Sequence, residues 1–122
     1  MVKHVLSVDD SPSMRMIIKS CLEKEGYQVT EACDGLDGLE KLKQGNEFNL
    51  LIVDFNMPNM DGISFVKEVR KLQTYNKIPI VMLTTESEAL KKAEGARSGA
   101  TGWITKPFDP EEFIKVVGRL TK

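Results

Sequence analysis

Four consecutive apolar residues, Leu50 to Val53, run straight into Asp54, and Asn56, Pro58, Asn59 and Gly62 then crowd the chain with turn formers. A short apolar run bounded by turn residues has the pattern of a strand buried on both faces, and such strands belong to parallel sheets covered by helices. The run therefore delivers one carboxylate to the carboxyl end of a central strand and leaves it at the mouth of a loop. Open α/β sheets place ligands and chemistry there. A lone aspartate in that position can also do no more than cap a turn, so its meaning depends on what the other strands bring to the same rim.

Taken in order, the chain alternates strand and helix five times. Val5–Val8 is a short apolar strand ending in Asp9-Asp10, preceded by His4, which has no partner in sequence and reads as an edge residue. Ser11-Pro12 opens a first helix as N-cap and first helical residue, with Met14, Ile17, Ile18, Cys21 and Leu22 on one face and Gly26 at its end. Tyr27–Ala32 is a weaker strand, expected at the sheet edge. Asp34-Gly35 opens a second helix marked by Leu36, Leu39 and Leu42 and closed by Gly45-Asn46. After the central strand, a third helix from about Gly62 to Leu72 is expected to bury Phe65, Val66, Val69 and Leu72 and to leave Lys67, Glu68, Arg70 and Lys71 outside. Ile78–Leu83 reads as a strand stopping at Thr84-Thr85. A fourth helix covers roughly Glu88–Arg97, with Ala89, Leu90, Ala93 and Ala96 inward, and Trp103–Thr105 is a short strand. Asp109-Pro110-Glu111-Glu112 opens the last helix, where Glu112 can close a capping box and Phe113, Val116, Val117 and Leu120 form the core stripe. Such alternation predicts a doubly wound α/β fold, (βα)5, with a five-stranded parallel sheet, right-handed crossovers and strand order 2-1-3-4-5.

Composition narrows the function without naming it. A length of 122 residues suits one domain with a real core and no output domain, and a net charge of −1 supplies no basic stripe for nucleic acid. There is no apolar run of membrane-spanning length and no signal peptide. Cys21 and Cys33 lack metal or redox spacing, which fits a reducing cytoplasm.

Every strand except the edge one brings a polar residue to one rim: Asp9 and Asp10 from the first, Asp54 from the third, Thr84 from the fourth and Lys106 after the fifth. With strands about 4.8 Å apart, the carboxylates approach within a few ångströms. Two like charges at about 4 Å and an effective dielectric of about 20 repel by about 4 kcal/mol, so either one protonates or a cation binds. A hard divalent ion with oxygen ligands, Mg2+, suits such a set. Metal, ammonium and hydroxyl around one carboxylate resemble a phosphoryl-transfer site with Asp54 as nucleophile and an aspartyl phosphate as product.

The motifs Val8-Asp9-Asp10, Met14-Arg15, Asp54-Phe-Asn-Met-Pro-Asn-Met-Asp-Gly62, Leu83-Thr84 and Gly99-Ala-Thr-Gly-Trp-Ile-Thr-Lys-Pro-Phe108 together resemble the receiver domain of bacterial two-component signalling across essentially the whole chain. Within that family the likeness is to the stand-alone, CheY-like chemotaxis regulators. The resemblance implies that Asp9 and Asp10 serve Mg2+, that Asp54 is the phosphoacceptor and that the Asn56 backbone carbonyl is a metal ligand. It likewise implies Thr84 as the switch hydroxyl, Trp103 as the switch aromatic, Lys106 as the phosphoryl-binding lysine and a cis Lys106–Pro107 peptide. The implied protein is a cytoplasmic monomer and not an enzyme on external substrates, catalysing only its own phosphorylation and dephosphorylation. It takes phosphate from a CheA-like histidine kinase. It then repacks the face formed by the fourth helix, fifth strand and fifth helix. A flagellar switch protein and a phosphatase are further implied partners, in flagellar rotation control. Asn56 and Glu86 match the chemotaxis pattern. Thr85 stands where a smaller residue is usual, Trp103 where Tyr or Phe is commoner, and Lys92 where an apolar motor contact is found.

Three other readings use the same residues. A phosphorelay intermediate would pass the phosphoryl group to a second histidine protein. An aspartate-nucleophile phosphatase would need a second acid two residues on, where this chain has Asn56. A flavodoxin-like flavin carrier would need a phosphate-cradling loop after the first strand, where Asp9-Asp10 would repel the phosphate.

Overall fold

The central strand β3, Leu50–Asp54, is buried at every position. In the computed structural model, which describes residues 2–45, 47–84 and 99–122, it lies in the middle of a five-stranded sheet. The other strands are β1 (His4–Val8), β2 (Gln28–Ala32), β4 (Ile80–Thr84) and β5 (Gly102–Thr105). The order is β2-β1-β3-β4-β5 and every pairing is parallel, as the alternation predicts. Helices α1 (Pro12–Lys24), α2 (Gly35–Lys43), α3 (Gly62–Lys71) and a C-terminal helix (Pro110–Leu120) pack on it. The helix expected over roughly residues 88–97, with Ala89, Leu90, Ala93 and Ala96, lies outside the described residues, as do Thr85, Glu86 and Lys92.

The two faces follow from the period of two along each strand. Leu6, Val8, Leu51, Val53, Ile80 and Met82 join Leu42, Phe65, Val66 and Val69 in one core under α2 and α3. Val5, Leu50, Ile52, Val81 and Leu83 join Ile18, Leu22, Phe113 and Val117 in the other, under α1 and the C-terminal helix. Ser11, Asp34, Asp61 and Asp109 cap the four helices, accepting from the N–H groups of Met14, Asp37, Ser64 and Glu111. Asp109 thus caps the second helical residue, and the capping box through Glu112 does not form in that way. Gly26 and Gly45 follow α1 and α2 at φ +89 and +83, the left-handed region glycine favours at helix ends.

Two expected inward positions face out. Ile17 and Leu36 are 48% and 55% exposed. Each lies about 100° around its helix from the buried line, which runs through Ile18 and Leu22 in α1 and through Gly35, Gly38 and Leu42 in α2. Glycine faces the core in α2 because Phe65 already fills that space: a Cβ on Gly38 would come within 2.9 Å of its ring. Strand β4 begins two residues later than expected, since a 3-10 turn (Gln73–Tyr75) precedes it and Pro79 has no N–H for the ladder. Arg70, expected in solvent, instead donates from Nε and Nη2 to the Gly99 carbonyl at 3.0 and 2.6 Å and from Nη1 to the Tyr75 carbonyl at 3.1 Å. His4 is structural: Nε2 lies 2.6 Å from Thr30 Oγ1 on β2, and its ring meets Phe48.

Candidate functional site

Strand β1 ends at Val8, so Asp9 is the first residue released from the ladder, with its N–H still donating to the Ala32 carbonyl of β2 at 3.1 Å. Asp54 is the last residue of β3, one strand away. Because Val8 pairs with Val53, Asp9 comes level with Asp54, and Asp9, Asp10 and Asp54 place one carboxylate oxygen each within 4.8 Å of the others. Asp9 and Asp54 are buried and Asp10 is exposed. Lys106, directly after β5, reaches over the rim: its Nζ lies 3.0 Å from Asp54 Oδ1 and 3.7 Å from Asp9 Oδ2. The Ser11 N–H donates to Asp9 Oδ1 at 2.9 Å, and the Asn56 N–H makes a long contact of 3.4 Å with Asp54 Oδ1.

The electrostatics follow from that packing. Burial pushes the Asp54 carboxyl up to about 6; the Lys106 hydrogen bond pulls it back, and the charge of Asp9 adds to the rise. One ammonium does not neutralise three acids. Asp9 Oδ2 is buried and accepts no hydrogen bond, with the Lys106 ammonium no nearer than 3.7 Å, and the carboxylate ligand atoms gathered here are all oxygen. These residues fit a hard divalent cation of the Mg2+ type, which binds through one or two carboxylates and retains water.

Backbone completes the presentation. Asp61 caps α3, and the Gly62 N–H donates to the Phe55 carbonyl at 3.0 Å, which closes the loop after β3. A Cβ on Gly62 would stand 2.5 Å from the Asp54 carbonyl oxygen and 2.7 Å from Met82 Cε, so only glycine lets α3 start this close to the strand end. Reading the sequence treats Gly62 as one turn former among several; a glycine at the first position of a capped helix is the signal that could have marked it. Asn56 sits exposed in that loop. Thr84 is buried at the end of β4, next to β3, and its carbonyl accepts the Lys106 N–H at 2.6 Å. Trp103 stands on the edge strand β5, 38% exposed. The Lys106–Pro107 peptide is cis. The rim therefore gathers Asp9, Asp10, Asp54 and Lys106 directly, with Thr84 and Asn56 beside them and Trp103 further out.

Residues 5–118 match the model of the response regulator receiver domain. The chain belongs to that family. The receiver domain is 42% identical over 117 residues to chemotaxis protein CheY1 of Helicobacter pylori, covering 93% of this chain and 94% of CheY1. It is 40% identical over 119 residues to the sensor histidine kinase CheAY of the same species, covering 97% of this chain but only 15% of the kinase. The crystal structure of CheY4 from Vibrio cholerae superposes with a TM-score of 0.94 at 45% identity, over 98% of this chain and 99% of that one. The receiver fold is thus CheY-like in sequence and in shape. Among the described residues no helix is long and apolar enough to cross a membrane.

Proposed function

We propose that this receiver domain is a cytoplasmic, monomeric response regulator that takes a phosphoryl group from a histidine kinase onto Asp54, with Mg2+ bound by Asp9, Asp10, Asp54 and the Asn56 carbonyl. The observation that carries the reading is the closed cluster of three carboxylates with an ammonium 3.0 Å from one of them. Bound there, Mg2+ would neutralise charge on the transferring phosphoryl group.

The chain's own residues do the rest. Lys106 and the Asn56 N–H meet at Asp54 Oδ1 and fix the plane of its carboxylate. An Asp54 oxygen attacks phosphorus as the P–N bond of the phosphohistidine breaks and the imidazole leaves, and hydrolysis of the acyl phosphate by water returns the carboxylate. Lys106 stays within reach of the new phosphoryl oxygens. Thr84 turns its hydroxyl toward them, and Trp103, which retains exposed surface, rotates inward behind it. That repacking changes the surface around β5 and the C-terminal helix that a partner reads. Similarity to CheY1 and CheY4 supports chemotaxis as the output, with flagellar control the form of it we infer, and similarity to a kinase that contains such a domain supports a CheA-like donor.

Acetyl phosphate with Mg2+ should label the protein, seen as one phosphoryl mass by intact-mass spectrometry, and Asp54→Asn should abolish the label. Equal labelling of the variant overturns the assignment of Asp54. Pull-down with and without a phosphoryl mimic then identifies the partner.

A further inference from the structure

Arg15 has no part in the chemistry above, yet it touches the site's backbone. Its Nη1 donates to the main-chain carbonyl of Asp9 at 2.5 Å, and its Nε lies 3.8 Å from Glu31 Oε1 on β2. The guanidinium thus spans α1, the end of β1 and the neighbouring strand. Asp9 is 1% exposed, so bulk water does not reach its carbonyl, whereas the pair with Glu31 is partly exposed. The sheet ladder holds its N–H, Ser11 holds Oδ1 and Arg15 holds the carbonyl, which together leave Oδ2 without a hydrogen bond, beside the Lys106 ammonium at 3.7 Å.

The placement of Arg15 has a cost. It lies at the first turn of α1, a turn with no acidic residue, where a cation opposes the helix dipole. It also sets a positive charge beside a site read as a cation site, which on charge alone weakens binding. Both effects run against placing an arginine here, and the hold on Asp9 is what offsets them.

We propose that Arg15 is a positioning residue for the divalent cation: by fixing the Asp9 main chain it aims Asp9 Oδ2 at the metal. This rests on the reading of the acids as a Mg2+ site. Lysine cannot reproduce it, since one ammonium does not offer a planar fork to a carbonyl and a carboxylate at once.

The sign of the effect separates positioning from charge. Mg2+ is titrated calorimetrically into EDTA-stripped wild type, Arg15→Gln and Arg15→Lys, and urea unfolding of the metal-free proteins is measured alongside. Loss of an outer-shell partner typically weakens metal binding by about 10-fold or more. Arg15→Gln is expected to bind about 10-fold more weakly, and Arg15→Lys, with the charge kept, several-fold more weakly, with both folded in the absence of metal. A role limited to charge predicts tighter binding for Arg15→Gln and no change for Arg15→Lys. Binding by either variant as tight as wild type overturns the inference. If Arg15→Gln does not fold, Arg15→Lys decides alone. No binding to the wild type would instead sink the Mg2+ reading itself.

Discussion

Replacing Asp54 by asparagine should stabilise the metal-free protein at neutral pH. The carboxyl is buried at the end of β3, and its affinity for protons rises from the ordinary value of 3.8 to about 6. The folded state therefore holds a proton in a range where the unfolded chain has released it. The sign follows by linkage: stability is unaffected below about pH 4, where both states are protonated. It falls as pH rises toward 6 and stays at its lower level above that. A rise of about two units at 1.36 kcal/mol per unit gives about 3 kcal/mol. Asparagine cannot ionise and escapes this penalty. Urea unfolding in EDTA should show wild type and Asp54→Asn separated by up to about 3 kcal/mol at about pH 8 in favour of the variant, with the gap closing toward about pH 4. Added Mg2+ should narrow the gap at high pH, because the wild type keeps the ligand the variant has lost. A gap that does not change across this pH range, or a variant less stable at high pH than at low, refutes the argument that buried charge at Asp54 is what strains the rim.

Saturating Mg2+ should raise the wild-type melting temperature; at about a hundred times the Kd the gain is about 2.7 kcal/mol, read by thermal scanning. Lys106→Met removes the ammonium 3.0 Å from Asp54 and 3.7 Å from Asp9, so metal-free stability at about pH 8 should fall by about 3 kcal/mol, the scale for breaking a buried pair, and recover as the acids protonate. Gly62→Ala forces a Cβ against the Asp54 carbonyl; urea denaturation should show a loss of about 1–3 kcal/mol, with slower labelling by acetyl phosphate. Trp103 is the only tryptophan, so its emission should shift when a phosphoryl mimic binds, and identical spectra would count against a turning indole.

What the sequence made legible divides along physical lines. The β3 pattern is strong because a strand covered on both faces has no polar position to blur it, and the adjacent rim residues follow from strand order alone. Helix caps at Ser11, Asp34 and Asp109 were readable because capping is local chemistry. Ile17 and Leu36 fall off the buried line because a helix stripe fixes a face only to within a residue or so, and at the α2 contact Phe65 leaves room only for glycine at position 38 while Met60 crowds Gly35. The roles of Arg70 and Arg15 were hidden for another reason. Their partners are main-chain carbonyls, of Asp9 for Arg15 and of Tyr75 and Gly99 for Arg70, and no side-chain pattern announces a carbonyl. The exchange of hydrogen bonds between Arg70, Gly99 and Tyr75 appears only once α3 and the approach to β5 lie side by side.

The loop closed between Phe55 and Gly62 bears on any attempt to transplant this chemistry. A designer who copied three aspartates and a lysine onto another parallel sheet would carry over the reactive groups and leave behind the geometry that presents them. The side-chain-free residue where helix meets strand belongs to the minimal portable unit as much as the acids do. A graft that omits it would have to lift the helix away from the strand end, and the carboxylate would travel with the backbone it hangs from.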